Sequence, residues 1–234
     1  MKTIVLRFLL LLWLTVPAIT APAALFYSWT GTQTIPDNDG SGRAFSFNVS
    51  DPATAITDIA VTLDISGGFN GDLYVYLSQS GVSGGFAVLV NRVGRTSAND
   101  LGYANTGFLV TLTGSAAADI HNYQTLSPSY NVSGQLTGLW GADGRFVDPD
   151  SSGAEFDAAT RDATLNGFNG LNPNGDWTLF FADTSPGGIS TLNSFSVDIT
   201  AVPEPVNVAL GVFGVVLAGF GVVRRLCVRS RQPE

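Results

Sequence analysis

The chain has 234 residues and a formal net charge of −8, but the charge is unevenly placed. Between Pro22 and Ala201 there is no lysine, and five arginines (Arg43, Arg92, Arg95, Arg145, Arg161) stand against 17 acidic residues, a net −12. Such a surface repels nucleic acid and anionic membrane and argues against both as partners. One cysteine, Cys227, and one histidine, His121, leave no disulfide framework and no His/Cys zinc site.

At the N-terminus, Lys2 and Arg7 mark a positive region, Phe8 to Leu14 is continuously apolar, and Pro17 leads into small residues from Ala18 to Ala24. This pattern predicts a secretory signal peptide over 1–23, handled by the Sec translocon and signal peptidase, with Ala21-Pro22-Ala23 as an A-x-A site. Positive charge at both chain ends keeps both on the cytoplasmic side during export and the middle outside.

Residues 24–201 are one domain's worth of chain. Their apolar period is two: Phe45, Phe47 and Val49; Ile59, Val61, Leu63 and Ile65; Leu73, Val75 and Leu77; Trp177, Leu179 and Phe181; Phe195, Val197 and Ile199. Turn clusters such as Ser66-Gly67-Gly68-Phe69-Asn70-Gly71 separate the runs. The pattern predicts an all-β, antiparallel β-sandwich with Trp177 in its core. One short helix is expected over Ser115–His121, capped by Ser115, and loops from about Asn122 to Asn172.

Two stretches carry a resemblance. Ile35-Pro36-Asp37, Ile59-Ala60-Val61 and Gly71-Asp72-Leu73-Tyr74-Val75-Tyr76-Leu77 open it. Phe168 to Leu179, containing Asn174-Gly175-Asp176-Trp177-Thr178-Leu179, then Ala182-Asp183, Gly188 and Leu192, close it. Together they resemble the P domain (P/Homo B domain) of subtilisin-like proprotein convertases over roughly residues 35–200. The resemblance implies a jelly-roll-like β-sandwich that assists a protease and is not itself catalytic. Asp72, Asp176 and Asp183 are family positions, read as satisfying turn backbone groups. The family's histidine before Gly-Asp-Leu is missing, the chain reading Gly68-Phe69-Asn70.

Independent counting predicts no enzyme. A Ser-His-Asp triad would have to use His121, which lies beside Asp119 and Asn122 and reads as a loop-capping residue. Gly81-Val82-Ser83-Gly84-Gly85 matches G-x-S-x-G but falls between two strand patterns, Leu73–Leu77 and Phe86–Val90, so it reads as a hairpin and not a nucleophile elbow. Calcium is the one cofactor with candidate ligands, in Asp37, Asn38 and Asp39 and in Asp143, Asp148 and Asp150, although such Asp/Asn-rich stretches also form turns without metal. Tyr74, Tyr76 and Trp140 are candidate exposed aromatics for carbohydrate.

The C-terminal segment, 202–234, begins with Val202-Pro203-Glu204-Pro205. An uncharged apolar run follows over 206–223, about 27 Å long as a helix and just enough to span a hydrocarbon core of about 30 Å. An Arg-rich tail, 224–234, then carries Arg224, Arg225, Arg229 and Arg231, which hold that end in the cytoplasm. This order resembles the PEP-CTERM sorting signal of Gram-negative bacteria, which implies an exosortase as processing partner. The sequence is therefore read as an inner-membrane-anchored precursor that becomes a non-catalytic cell-surface or extracellular-matrix protein. Exopolysaccharide, or a separate subtilisin-like protease acted on in trans, are its expected partners.

Overall fold

The computed structural model describes residues 22–53, 55–81, 84–202, 211 and 213–220. The chain divides into two units, Ala23–Val202 and the terminal residues 1–22 with 203–234.

Ala23–Val202 holds ten strands in two sheets. They are β1 (Ala23–Thr34), β2 (Asp39–Val49), β3 (Ala55–Gly67), β4 (Leu73–Gly81), β5 (Gly85–Asn91), β6 (Phe108–Thr113), β7 (Ser129–Tyr130), β8 (Leu136–Trp140), β9 (Gly175–Asp183) and β10 (Ser190–Val202). The larger sheet runs β1-β10-β3-β6-β8-β7 and the smaller β2-β9-β4-β5. Alternation explains the packing: along β3, Ile59, Val61, Leu63 and Ile65 are buried while Thr62 and Asp64 reach the surface side. Both sheets contribute to one core, joined by Tyr27 stacked on Phe47 at 4.1 Å and by Phe45 edge-on to Phe195 at 5.2 Å.

Trp177 sits in that core as expected, fully buried, stacked on Phe168 at 5.1 Å, its Nε1–H donating to Pro173 O at 2.8 Å. Burying an aromatic of this kind removes about 150–250 Å² from water, worth about 4–6 kcal/mol. Gly81 and Gly85 close the hairpin between β4 and β5 predicted for the G-x-S-x-G stretch, Val82 and Ser83 lying outside the described residues.

Three expectations are corrected. The sheets are not wholly antiparallel, because β8 lies parallel to β6, with Phe108 opposite Leu136. The chain between Thr113 and Leu136 is long enough for the crossover such a pair requires. The helix expected at Ser115–His121 is instead a 3₁₀ segment at Ile120–Leu126, with Asp119 accepting from His121 N at 3.0 Å. Ser115 caps nothing; its Oγ meets Thr113 Oγ1 at 3.2 Å. The supposed loop region 122–172 contains β7, β8, a 3₁₀ turn at Leu165–Phe168 and a helix, α1 (Gly153–Ala158). A capping box starts α1, Ser152 N and Oγ both donating to Glu155 Oε2 at 2.9 and 3.0 Å.

In the terminal unit, residues 211 and 213–220 are helical and lie within the predicted span. Among the described residues no helix is long and apolar enough to cross a membrane. Residues 1–21 of the signal peptide expected over 1–23, Pro203, Glu204, Pro205, the rest of the expected span and the tail with Arg224, Arg225, Cys227, Arg229 and Arg231 lie outside the described residues, whereas Ala23 is the first residue of β1.

Candidate functional site

His121 is buried, and both ring nitrogens are occupied. Nδ1 lies 2.8 Å from Asp143 Oδ2 and Nε2 lies 3.1 Å from the Arg95 carbonyl oxygen. Both partners are acceptors, a carboxylate oxygen on one side and a backbone carbonyl on the other. Burial alone would raise the Asp143 carboxyl, but His121 and Arg145 hold it below the ordinary carboxylate range. Arg145 donates to Asp143 Oδ1 at 3.1 Å and to Asp119 Oδ2 at 2.9 Å, while Arg161 donates to the carbonyls of Asp143 and Ala142 at 3.1 and 2.7 Å. The His121 ring lies parallel to Phe156 at 5.8 Å, and the Arg95 guanidinium covers the same ring. Both ring nitrogens are thus engaged with partners inside the protein. The network clamps the loops around residues 92–100, 115–121 and 141–161 on one another.

The calcium candidates are not brought together. Asp143 is consumed in this network, and Asp148 Oδ1 accepts from Asp150 N at 2.9 Å, a local turn contact. Asp39 Oδ1 accepts from Ser41 N and Oγ at 2.9 and 2.6 Å, with Asn38 in the left-handed region at φ 52°. Among the described residues no group of three or more His, Cys, Asp or Glu side chains is placed to hold a metal ion. Short Asx-type turns use these side chains, which is why the same residue types gave the sequence signal.

The family-position aspartates behave differently from one another. Asp176 accepts from Asn48 Nδ2 at 2.7 Å, and Asp183 faces Ser190 Oγ at 3.3 Å and Ser185 N at 3.4 Å. Asp72 serves no turn backbone group with its carboxylate; its nearest cation is Arg92 Nη2, 3.8 Å from Oδ1. Asp72 immediately precedes β4 and Asp183 ends the neighbouring β9, where Leu73 pairs with Asp183. Burial, first of all, pushes both carboxyls up to about 6; the Arg92 charge pulls Asp72 back, and Asp72 and Asp37 raise Asp183 further. Arg92 is itself buried, at φ 46°, and donates through Nε to Gly71 O and through Nη1 to Thr184 Oγ1 at 3.2 Å. A buried arginine with left-handed backbone beside two raised carboxyls was not legible in the sequence.

The outer face of the smaller sheet is the second feature. Register puts Tyr76 of β4 beside Phe180 of β9, stacked at 4.8 Å, and Phe86 of β5 at 5.2 Å. Tyr74 adjoins Tyr76 at 5.8 Å, and Phe146, 74% exposed, meets Phe86 edge-on at 5.3 Å. Beside this strip runs a polar row, with Ser46 Oγ 3.0 Å from Thr178 Oγ1 and the Asn48–Asp176 pair beyond it. Burial pushes the Tyr74 phenol up to about 12, so its hydroxyl keeps its proton. Trp140 does not join the strip: it is buried on β8, its Nε1–H donating to Thr137 O at 3.0 Å.

No protein-family model matches the sequence, and no curated protein matches it. Among solved structures, the serine protease of Aeromonas sobria in complex with its chaperone aligns at 13% identity and TM-score 0.44, over 79% of this chain and 28% of that one. The serine protease of Aeromonas sobria aligns at 12% identity and TM-score 0.40, over 78% and 28%. The chain thus spans less than a third of the length of these proteins.

Proposed function

We propose that this chain is an exported, non-catalytic binding protein, carried out on its signal peptide and processed through its Pro-Glu-Pro segment by an exosortase-type enzyme. The observation that carries the binding role is the aromatic strip Tyr74, Tyr76, Phe86, Phe180 and Phe146. The outward side of an antiparallel sheet is normally polar, whereas here four half-buried aromatic rings line it and end in the exposed Phe146, an apolar surface suited to a ligand. The non-catalytic part rests on His121, whose two ring nitrogens are both spent. The strand order, β1-β10-β3-β6 facing β2-β9-β4-β5, is that of a jelly roll with β8 and β7 added at one edge, and supports the P-domain-like reading.

The ligand class we assign is a neutral exopolysaccharide. Aromatic rings beside hydroxyl and carboxamide side chains suit sugar C–H faces and hydroxyls, and the −12 charge between Pro22 and Ala201 disfavours acidic polymers. The full-length chain should be retained on immobilised neutral polysaccharide, and Phe146→Ser or Tyr76→Ala should weaken retention about tenfold or more at unchanged melting temperature. Equal retention of both variants would sink the assignment. A second reading, an accessory module for a separate subtilisin-like protease, rests on the P-domain resemblance, whose Trp177 and Asp183 are both buried structural residues here. Co-purification of a protease from intact cells, insensitive to Phe146→Ser, would favour it.

A further inference from the structure

A pocket of about 260 Å³ opens at the Asp72 end of the sandwich, away from the aromatic strip's assigned role. Its walls are Phe69, Leu101, Tyr103 and Pro186, and Asp72 is its floor. Two glycines make the enclosure: a Cβ on Gly71 would come within 2.4 Å of Leu101 O, and one on Gly102 within 2.8 Å of Gly71 Cα. That close approach folds residues 101–104 over the start of β4.

Asp72 is only 4% exposed, yet among the described residues its carboxylate receives no hydrogen bond. The Arg92 contact at 3.8 Å is too long for one. Arg92 donates through Nε to Gly71 O and through Nη1 to Thr184 Oγ1, and Asp72, Asp183 and Asp37 are carboxylates that act on one another beside it. A nearly buried carboxylate that accepts no protein hydrogen bond and faces a pocket with apolar lining, beside other carboxylates, matches a cation carried on an alkyl stem.

We propose that this pocket receives a lysine side chain presented by a partner protein, its ammonium on Asp72 and its methylenes between Phe69, Leu101 and Pro186. Tyr103 adds a ring face beside the charge. The compact ammonium fits better than a guanidinium, whose planar fork needs both carboxylate oxygens while Oδ1 already faces Arg92. A second copy of this domain cannot supply the group, because Pro22–Ala201 has no lysine.

The test is calorimetric titration of the full-length chain near neutral pH with a capped Gly-Lys-Gly peptide, its Nε-acetylated twin and spermidine. The lysine peptide should bind at least about tenfold more tightly than the acetylated twin. Asp72→Asn should abolish that difference, and so should Leu101→Lys, which sets a competing ammonium at an exposed rim position and tests the pocket even if Asp72→Asn fails to fold. Binding should weaken as pH falls through about 6, since Asp72, facing Arg92, Asp183 and Asp37, then takes up its proton. Equal binding of the acetylated peptide, unchanged binding by both variants, or no binding at millimolar peptide would each overturn the proposal. Spermidine binding as tightly as the peptide would place a free polyamine there and overturn the protein-partner assignment. So would dimerisation of the chain that Asp72→Asn abolishes.

Discussion

Replacing Asp183 by asparagine isolates the energetic cost of the buried carboxyls at the end of β9. The side chain is fully buried, and its carboxyl is raised from 3.8 to about 6. A group whose folded value lies above its unfolded one holds more protons folded than unfolded between the two. Stability therefore falls as pH rises from about 4 to about 6 and stays low above that window. A rise of that size corresponds to at most about 3 kcal/mol, at about 1.36 kcal/mol for each tenfold change in acidity, and less for Asp183 alone because it titrates together with Asp72 and Asp37. Asparagine keeps an acceptor for Ser185 N, and its amide N–H can donate to Ser190 Oγ where the second carboxylate oxygen stood, while the charge is removed. Asp183→Asn should thus melt higher than wild type at pH 8 by about 4–8 °C, at about 2–4 °C per kcal/mol for a domain of this size. The gain should shrink through pH 6 and vanish near pH 4, followed by differential scanning calorimetry of the full-length chain in matched buffers. A difference that stays constant across that range would refute the reasoning, because it would mean that the carboxyl titrates alike in both states.

Trp177→Ala should cost about 3–5 kcal/mol, because it empties the space between Phe47 and Phe168 and orphans Pro173 O, and urea denaturation would show it. An unchanged midpoint would contradict its burial. Calcium, magnesium and sodium chloride at matched ionic strength should raise the melting temperature equally after EDTA treatment, since the candidate aspartates are used in turns and ion pairs; a calcium-specific rise of several degrees would reinstate a metal site. Changing Glu204 should leave export intact but block C-terminal removal, read by mass spectrometry of secreted protein; Arg224 and Cys227 retained on the unaltered surface protein would show simple anchoring instead.

Much of the sandwich is readable because β3, β4, β9 and β10 each bury one face only, which writes period two directly into the chain. Strand β1 obeys the same rule with Leu25, Tyr27 and Trp29 inward, but in the sequence it follows directly on a long apolar stretch that hides the alternation. Strand β8 could not be read: its pairing is parallel, non-local and interrupted by Gly138 at φ 109°, and its burial of Trp140 depends on that pairing. The sites show the same division. Tyr74 and Tyr76 advertise an outward face, but Phe86 and Phe180 join them only through the β4–β5 and β4–β9 registers, and Phe146 only by packing from a loop onto Phe86. Asp72 is visible as a motif residue, whereas its shortage of partners depends on Arg92 and on a loop some thirty residues further along.

The pairing of β1 with β10 has a mechanical consequence. The two strands run antiparallel from Ala23 opposite Ala201 to Thr34 opposite Thr191, so the chain enters and leaves this sheet side by side. Tension between those two ends peels the ladder one pair at a time, the weak direction of a β-sheet. The pocket residues Ser185 and Pro186 adjoin the other end of β10, at Ser190. Tension between an occupant there and Val202 instead runs along a 13-residue strand bonded on both sides, to β1 and β3. Load that enters through Phe69, just after β3, crosses to β10 through the β3–β10 ladder, whose bonds then share it in shear. The same domain is compliant when pulled by its ends and stiff when pulled through its pocket.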